Sequence, residues 1–288
     1  MTGWKQRVKE YFSERATAWV AYYADPEPRT VSAQHLVSRQ RFALQMVEAA
    51  IPPSAKILDA GCGSGVTAAR LMERGYAVWG IDLAEPMIRQ ARELCGSDQF
   101  GVGDIEHIPF ADNTFDVVVS LGVIEYLESD EQALREILRV LRPGGRAVVA
   151  IPSGSSPLRR LDGVVLRVVT VLRSAYQLVK HRFRGTPASS PETRAGVLRR
   201  RFYRGRWLRL LRGLSFEPEE WICHGWGWFR SPLGLLVQLL SKGQTVWRRS
   251  TERLFGRAVL SRARDKFVRS RALRWLAAEH IFRARAIK

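Results

Sequence analysis

Apolar positions recur along this chain at two spacings, helical and strand-like, and the switches between them mark the elements. Val8, Tyr11, Phe12, Trp19 and Tyr22, with Arg15 among them, fall near helical spacing and predict an amphipathic helix from Trp4 to Tyr23. Asp25-Pro26-Glu27-Pro28 breaks it, and a second helix is expected from about Ser32 to Ala50, stopped at Ile51-Pro52-Pro53. Ile57 and Leu58 then begin a buried strand that runs through Asp59 into Gly61-Cys62-Gly63-Ser64-Gly65, with a helix over Val66–Arg74. Tyr76–Ile81 is a short strand ending at Asp82, and Phe115–Ser120 is a near-continuous apolar strand. Ala133, Leu134, Ile137, Leu138 and Leu141 share one face of a helix over Glu131–Leu141. Arg142-Pro143-Gly144-Gly145 ends that helix before a strand over Arg146–Ile151. Strands alternating with helices predict a doubly wound α/β sheet.

The glycine loop carries the first chemical signal. Gly61, Gly63 and Gly65 lack a β-carbon, so the backbone there can turn sharply and approach a ligand closely. A helix starting at Val66 would aim free N–H groups at that ligand. The Asp59 carboxylate comes before the glycines and no Lys-Ser/Thr follows them, which disfavours a phosphate-binding P-loop. A dinucleotide-binding loop is also compatible with this stretch alone. Asp82, about twenty residues on, suits the two ribose hydroxyls of an adenosine. Asp104, in Gly-Asp-Ile-Glu-His-Ile-Pro-Phe, is a third acidic position.

Together, Ile57–Gly65, Asp82, Gly103–Phe110, Phe115–Val119 and Leu141–Gly145 resemble the class I S-adenosylmethionine-dependent methyltransferases, in their small-molecule, ubiquinone/menaquinone-type branch. The resemblance covers roughly residues 45 to 152. It implies a Rossmann-like seven-stranded sheet, strands one to six parallel and the last antiparallel, with S-adenosyl-L-methionine as cofactor. Asp59 and the backbone of Gly61 and Gly63 would lie against its methionine part, with Cys62 and Gly65 also among the cofactor-binding residues. Asp82 would hold the ribose, with Leu83 beside the adenine. Asp104 would accept from the adenine amino group while Ile105 covers the ring, and Met87 would touch the base. Ser120 and Leu121 would face the sulfonium and the incoming substrate.

The resemblance also orders the rest of the chain. Residues 1–50 form an N-terminal helical cap and 51–152 the cofactor-binding core. Residues 202–224 supply a helix at Tyr203–Leu211 and a sixth strand near Glu219–His224. The last strand fits residues 279–288, whose alternation suits a half-buried antiparallel strand. Two insertions remain, 153–201 and 225–278. In a doubly wound sheet both leave from the carboxyl ends of strands, the edge where ligands bind.

Charge divides sharply at the first insertion. Residues 1–152 hold 16 Lys+Arg and 20 Asp+Glu, a net of −4, and residues 153–288 hold 30 and 8, a net of +22. Apolar runs flanked by Arg and Trp suit interfacial helices, so 153–185 and 225–275 are expected to meet an anionic membrane surface. Nucleic acid is the rival polyanion. It is disfavoured because the fourth strand ends Ser-Leu-Gly-Val-Ile-Glu-Tyr, without the Pro-Pro block of amino-methylating nucleic-acid enzymes. Three cysteines without a paired framework, and an N-terminus without a signal-peptide core, point to the cytoplasm, at most peripheral on the membrane's inner face. The histidines lack metal-ligand spacing, so no metal is expected.

Methyl transfer from a sulfonium is an in-line displacement, and a base is needed only where the nucleophile must lose a proton. Tyr126, Glu125, Tyr22 and His35 are the candidates for that base, each with an ordinary structural role beside it. The expected reaction is transfer, foremost to oxygen, onto an amphipathic or lipid-linked small molecule. An rRNA or tRNA methyltransferase and a cofactor-binding scaffold without turnover are the alternatives.

Overall fold

A computed structural model describes residues 3–16, 19, 31–154, 202–224 and 279–288. Helix α1 (Gly3–Ser13) and helix α2 (Val31–Glu48) precede the sheet. Then follow β1 (Lys56–Ala60), α3 (Val66–Met72), β2 (Ala77–Asp82), α4 (Glu85–Cys95), β3 (Phe100–Val102) and β4 (Phe115–Leu121). A 3₁₀ turn (Ile124–Tyr126) leads to α5 (Asp130–Val140) and β5 (Leu141–Pro152). The described chain closes with α6 (Arg204–Gly213), β6 (Phe216–His224) and β7 (Glu279–Ala286). The strands form one seven-stranded sheet in the order β3-β2-β1-β4-β5-β7-β6. Ladders among β1 to β5 are parallel, and β7 is antiparallel to both neighbours, β5 and β6.

Both faces of the sheet are covered, which is why its strands read as continuous apolar runs. Leu58, Val118, Val149 and Phe282 pack toward α5 and α6 on one face. Ile57, Val117, Val119, Val148 and Ile281 pack on the other, toward α2, α3 and α4. Each such side chain, fully removed from water, contributes about 1.5–3 kcal/mol. Helix α5 is specified at its ends as well as on its buried face. The Ser129 hydroxyl accepts from the Gln132 N–H at 3.1 Å, Asp130 and Glu131 occupy the first turn, and Arg139 the last.

Three expectations change. The expected Trp4–Tyr23 helix is interrupted by a turn at Glu14–Arg15: α1 ends at Ser13, Ala16 and Trp19 are helical beyond the turn, and residues 20–23 lie outside the described residues. Leu141 leaves the helix and pairs with Phe115, while Arg146 pairs with Val117, so Arg142–Gly145 loops out inside β5 instead of preceding it. Strand β7 is more buried than its alternation suggested, because it lies inside the sheet between β5 and β6. Only Arg283 and Arg285 reach outward, onto Glu219 and Glu217.

Tyr22 and the interiors of both insertions lie outside the described residues, but the strand ends that flank the insertions do not. Gly154 donates to the Phe202 carbonyl at 2.8 Å and Phe202 donates to the Pro152 carbonyl at 3.1 Å, so the ends of the first insertion are stitched together. His224 pairs with Glu279, and Glu279 with Pro152. Both insertions therefore depart and return at the carboxyl edge of the sheet. Among the described residues, no helix is long and apolar enough to cross a membrane.

Candidate active site

Strand β1 delivers Asp59 to the carboxyl edge, and the loop behind it folds back over β2. The N–H groups of Gly61 and Cys62 both donate to the Ile81 carbonyl, at 2.8 and 3.0 Å. Gly61 has φ +82°, and a β-carbon there would stand 2.2 Å from Cγ2 of Val123. Glycine is thus required by conformation and by space. Gly63 has φ +54° and open space where a β-carbon would be. The Gly63 N–H donates to Oδ2 of Asp82 at 3.0 Å, while Oδ1 of Asp82 accepts from the Ala84 N–H at 2.9 Å. One carboxylate therefore ties the glycine loop to the end of β2. Burial pushes the Asp82 carboxyl up, against the pull of those backbone hydrogen bonds.

Asp59 is 2 % exposed, and among the described residues its Oδ2 has no hydrogen-bond partner. Burial, reinforced by the neighbouring Asp82 charge and opposed by Arg39, pushes its carboxyl up to about 7. A buried acceptor left unmet beside a cavity is the mark of a site that awaits a donor.

The cavity lies over these groups. Asp59, Gly61, Cys62, Gly63, Asp82, Leu83, Met87, Ile105, Leu121 and Tyr126 line it together, as the sequence placed them near one ligand. The Cys62 thiol is pushed well up by burial and by Asp59 and Asp82, so it is a wall rather than a nucleophile. Five other residues named from the sequence stand outside the wall. Gly65 packs helix against helix, since a β-carbon there would meet Ala91 at 2.9 Å. Ser120 is fully buried and points to the sheet face opposite that of Leu121, as strand alternation requires. Asp104 turns its Oδ1 to the Glu106 N–H at 2.9 Å and its Oδ2 to Nζ of Lys5 at 2.5 Å. Glu125 is buried in the 3₁₀ turn, and His35 faces the Glu279 carboxylate at 2.7 Å.

Sequence reasoning missed the cations of this cavity. Lys5 on α1 bridges Asp104 and Glu106, at 2.5 and 2.8 Å, and lines the pocket from above. Burial pulls its ammonium down, but the two carboxylates outweigh that and hold it charged. The rest of α1 is pinned by the Trp4 indole N–H donating to the Tyr126 carbonyl at 2.7 Å and by Phe12 edge-on against the Tyr126 ring. Arg39 on α2 is 8 % exposed and lines the wall beside Gly122. Among the described residues, no three His, Cys, Asp or Glu side chains gather as a metal site.

Residues 58–149, about a third of the chain, match the family described as Methyltransferase domain. The malonyl-[acyl-carrier protein] O-methyltransferase of Erwinia pyrifoliae is 39 % identical over 116 residues, 40 % of this chain and 44 % of that one. The protein of that name from Pseudescherichia vulneris is 33 % identical over 154 residues, 53 % and 55 % of the two chains. The match thus spans about half the length of these curated relatives. Among solved structures, the fold resembles the [4+2]-cyclase SpnF (TM-score 0.59, 19 % identity, 98 % of this chain and 96 % of that one). It also resembles magnesium protoporphyrin IX methyltransferase of Synechocystis PCC 6803, solved with bound SAH (TM-score 0.57, 15 % identity, 98 % and 99 %).

Proposed function

We propose that this chain, whose residues 58–149 form a methyltransferase domain of class I fold, binds S-adenosylmethionine in the cavity and transfers its methyl group to an anionic acceptor. The observation that carries this reading is Oδ2 of Asp59, without a hydrogen-bond partner among the described residues and buried at the wall of a cavity floored by bare glycine backbone. An acceptor there fits the α-ammonium of an amino-acid moiety. The cavity beside Gly63, open where a β-carbon would be, lets that moiety approach the backbone. Asp82 keeps acceptor capacity for ribose hydroxyls, because a carboxylate offers about four lone-pair sites, more than the backbone N–H groups of Gly63, Leu83 and Ala84 take up. Ile105, Leu83 and Met87 supply an apolar slot for a base. When bound, the cofactor supplies a methyl group on a sulfonium, ready for in-line displacement.

What the chain's own residues do is align and dehydrate. Val8, Phe12, Trp19 and Tyr126 close the outer side of the cavity with apolar surface, while Lys5, Lys9 and Arg39 place cations around it. An apolar, cation-rimmed cavity favours an acceptor with an apolar body and a negative end. A carboxylate oxygen is already a nucleophile at neutral pH, so methylating it needs no base. That fits a site whose wall holds Tyr126 but neither Glu125 nor His35. The relatives named as methylating malonyl-[acyl-carrier protein] make a carrier-linked acid the first acceptor to test.

The arginine-rich insertions, 153–201 and 225–278, the second also rich in tryptophan, both leave at this edge, and we read their segments 153–185 and 225–275 as bringing it to an anionic membrane surface. Incubation of the full chain with radiolabelled cofactor and malonyl-carrier protein, bulk membrane lipid or total RNA tests the assignment. Label in the carrier or lipid fraction supports it, and label in RNA alone overturns the acceptor class. Flotation with anionic liposomes at low salt tests the membrane reading, which fails if the protein stays at the bottom.

A further inference from the structure

Helix α1 roofs the cavity with a mixed face. Lys5, Val8, Lys9 and Phe12 stand at the i, i+3, i+4 and i+7 positions of one helix side, and all four line the cavity. A helix face turned onto the protein is ordinarily apolar, so each lysine on it needs a reason. Lys5 has one, since Asp104 and Glu106 hold its ammonium at 2.5 and 2.8 Å.

The remaining charges of α1 are engaged as well, with one exception. Arg7 lies over the Trp4 ring, 5.7 Å from its centroid. Glu10, the acid of this helix, accepts from Nε2 of Gln6 at 2.7 Å. Lys9 is the exception. Among the described residues its ammonium has no carboxylate within ion-pair reach and no hydrogen-bond partner. The helix cannot rotate it away from the cavity, because α1 is pinned to either side of it. Trp4 donates to the Tyr126 carbonyl, and Phe12 lies edge-on against the Tyr126 ring. Lys9 is therefore a half-buried cation on a fixed backbone, opposite the glycine loop and among the apolar groups Val8, Phe12 and Trp19.

We propose that Lys9 is the residue that selects an acid as acceptor: its ammonium pairs with the carboxylate that receives the methyl group and releases the ester that results. The proposal rests on the reading that a methyl donor and an acidic acceptor meet in this cavity. In the transfer, one carboxylate oxygen forms the O–C bond as the C–S bond breaks, that electron pair stays on sulfur, and no proton moves. The acceptor loses its charge in this step, and with it the charge-assisted hydrogen bond to an ammonium. Lys9 thus favours substrate over product. Lysine suits the task better than arginine. A compact charge on a flexible stem holds one oxygen and leaves the other for the methyl group, whereas a guanidinium fork engages both.

Calorimetry on the full chain saturated with S-adenosylhomocysteine provides the test, with malonyl-carrier protein and its methyl ester as the two probes. Wild type is expected to bind the acid about tenfold or more tightly than the ester. Lys9→Met and Lys9→Gln, two neutral replacements, should bring the acid down to the affinity of the ester and leave the ester and S-adenosylhomocysteine unchanged. The proposal is overturned if wild type binds acid and ester alike or binds neither. It is equally overturned if the preference survives in either variant, or if both variants lose S-adenosylhomocysteine as well. A wild-type chain that does not bind S-adenosylhomocysteine takes down the functional reading itself, an outcome distinct from failure at Lys9.

Discussion

Asp59→Asn separates what the site costs the fold from what it gives to binding. The ordinary aspartate value is 3.8 and burial pushes this carboxyl up to about 7, a span of about three pH units. At 1.36 kcal/mol per unit, ionising Asp59 inside the fold costs about 4 kcal/mol. The sign follows from linkage. A carboxyl raised in the folded state leaves stability intact below its unfolded value, and stability falls as pH climbs from about 4 to about 7. Above that window the penalty is constant. Asparagine cannot ionise, so the variant escapes the penalty. Its stability relative to wild type is expected to rise with pH through the window, by up to about 4 kcal/mol, and then to level off. Any effect of the amide on packing adds a constant that pH does not alter. Urea unfolding of ligand-free wild type and variant at half-unit steps from pH 4 to pH 8.5 reads the difference directly. A gap that stays flat with pH refutes the argument that Asp59 is held in a desolvated, like-charged setting. The same variant loses the anionic acceptor for an ammonium, so S-adenosylhomocysteine binding should fall about tenfold or more while stability rises.

Gly61→Ala should destabilise by about 2 kcal/mol or more, since it forces φ +82° on alanine and drives its methyl into Val123. Thermal unfolding of Gly61→Ala alone and with Val123→Ala measures both parts, and an unchanged melting temperature in the single variant contradicts the close approach. Asp82→Ala removes the acceptor for the Gly63 and Ala84 N–H groups, so it should weaken adenosine-containing ligands by about tenfold, including methylthioadenosine; unchanged calorimetric affinity rules out a ribose-side role. Trp207→Ala deletes a fully buried ring edge-on to Phe202 and Phe282 behind β7, and should cost about 3–5 kcal/mol in urea unfolding without changing ligand selectivity.

What could be read from the sequence was whatever local chemistry specifies. The strand-glycine-helix run at Ile57–Val66 has one compact solution, and Asp82 follows at the distance one crossover helix imposes, so β1, its loop and β2 fall where expected. The closing antiparallel strand was legible from its own alternation, although a pattern of neighbours along one strand cannot say what flanks it. Insertion of β7 between β5 and β6 buries the positions that alternation left half exposed. The cations of the site were illegible for a related reason. Arg39 sits in a helix whose polar residues all look solvated, and what buries it is Glu279, 240 residues later, together with the absent β-carbon of Gly122. Lys5 and Asp104 meet across 99 residues. A charge reads as buried only when its counter-charge is known to be adjacent, and adjacency between the two ends of a doubly wound chain is set by strand order. The glycine loop carries its instruction in consecutive residues, whereas the wall of the cavity is assembled by topology from α1, α2, β4 and β7. The glycine-loop half of the candidate site was therefore readable from the chain, and its cationic half was readable only from the fold.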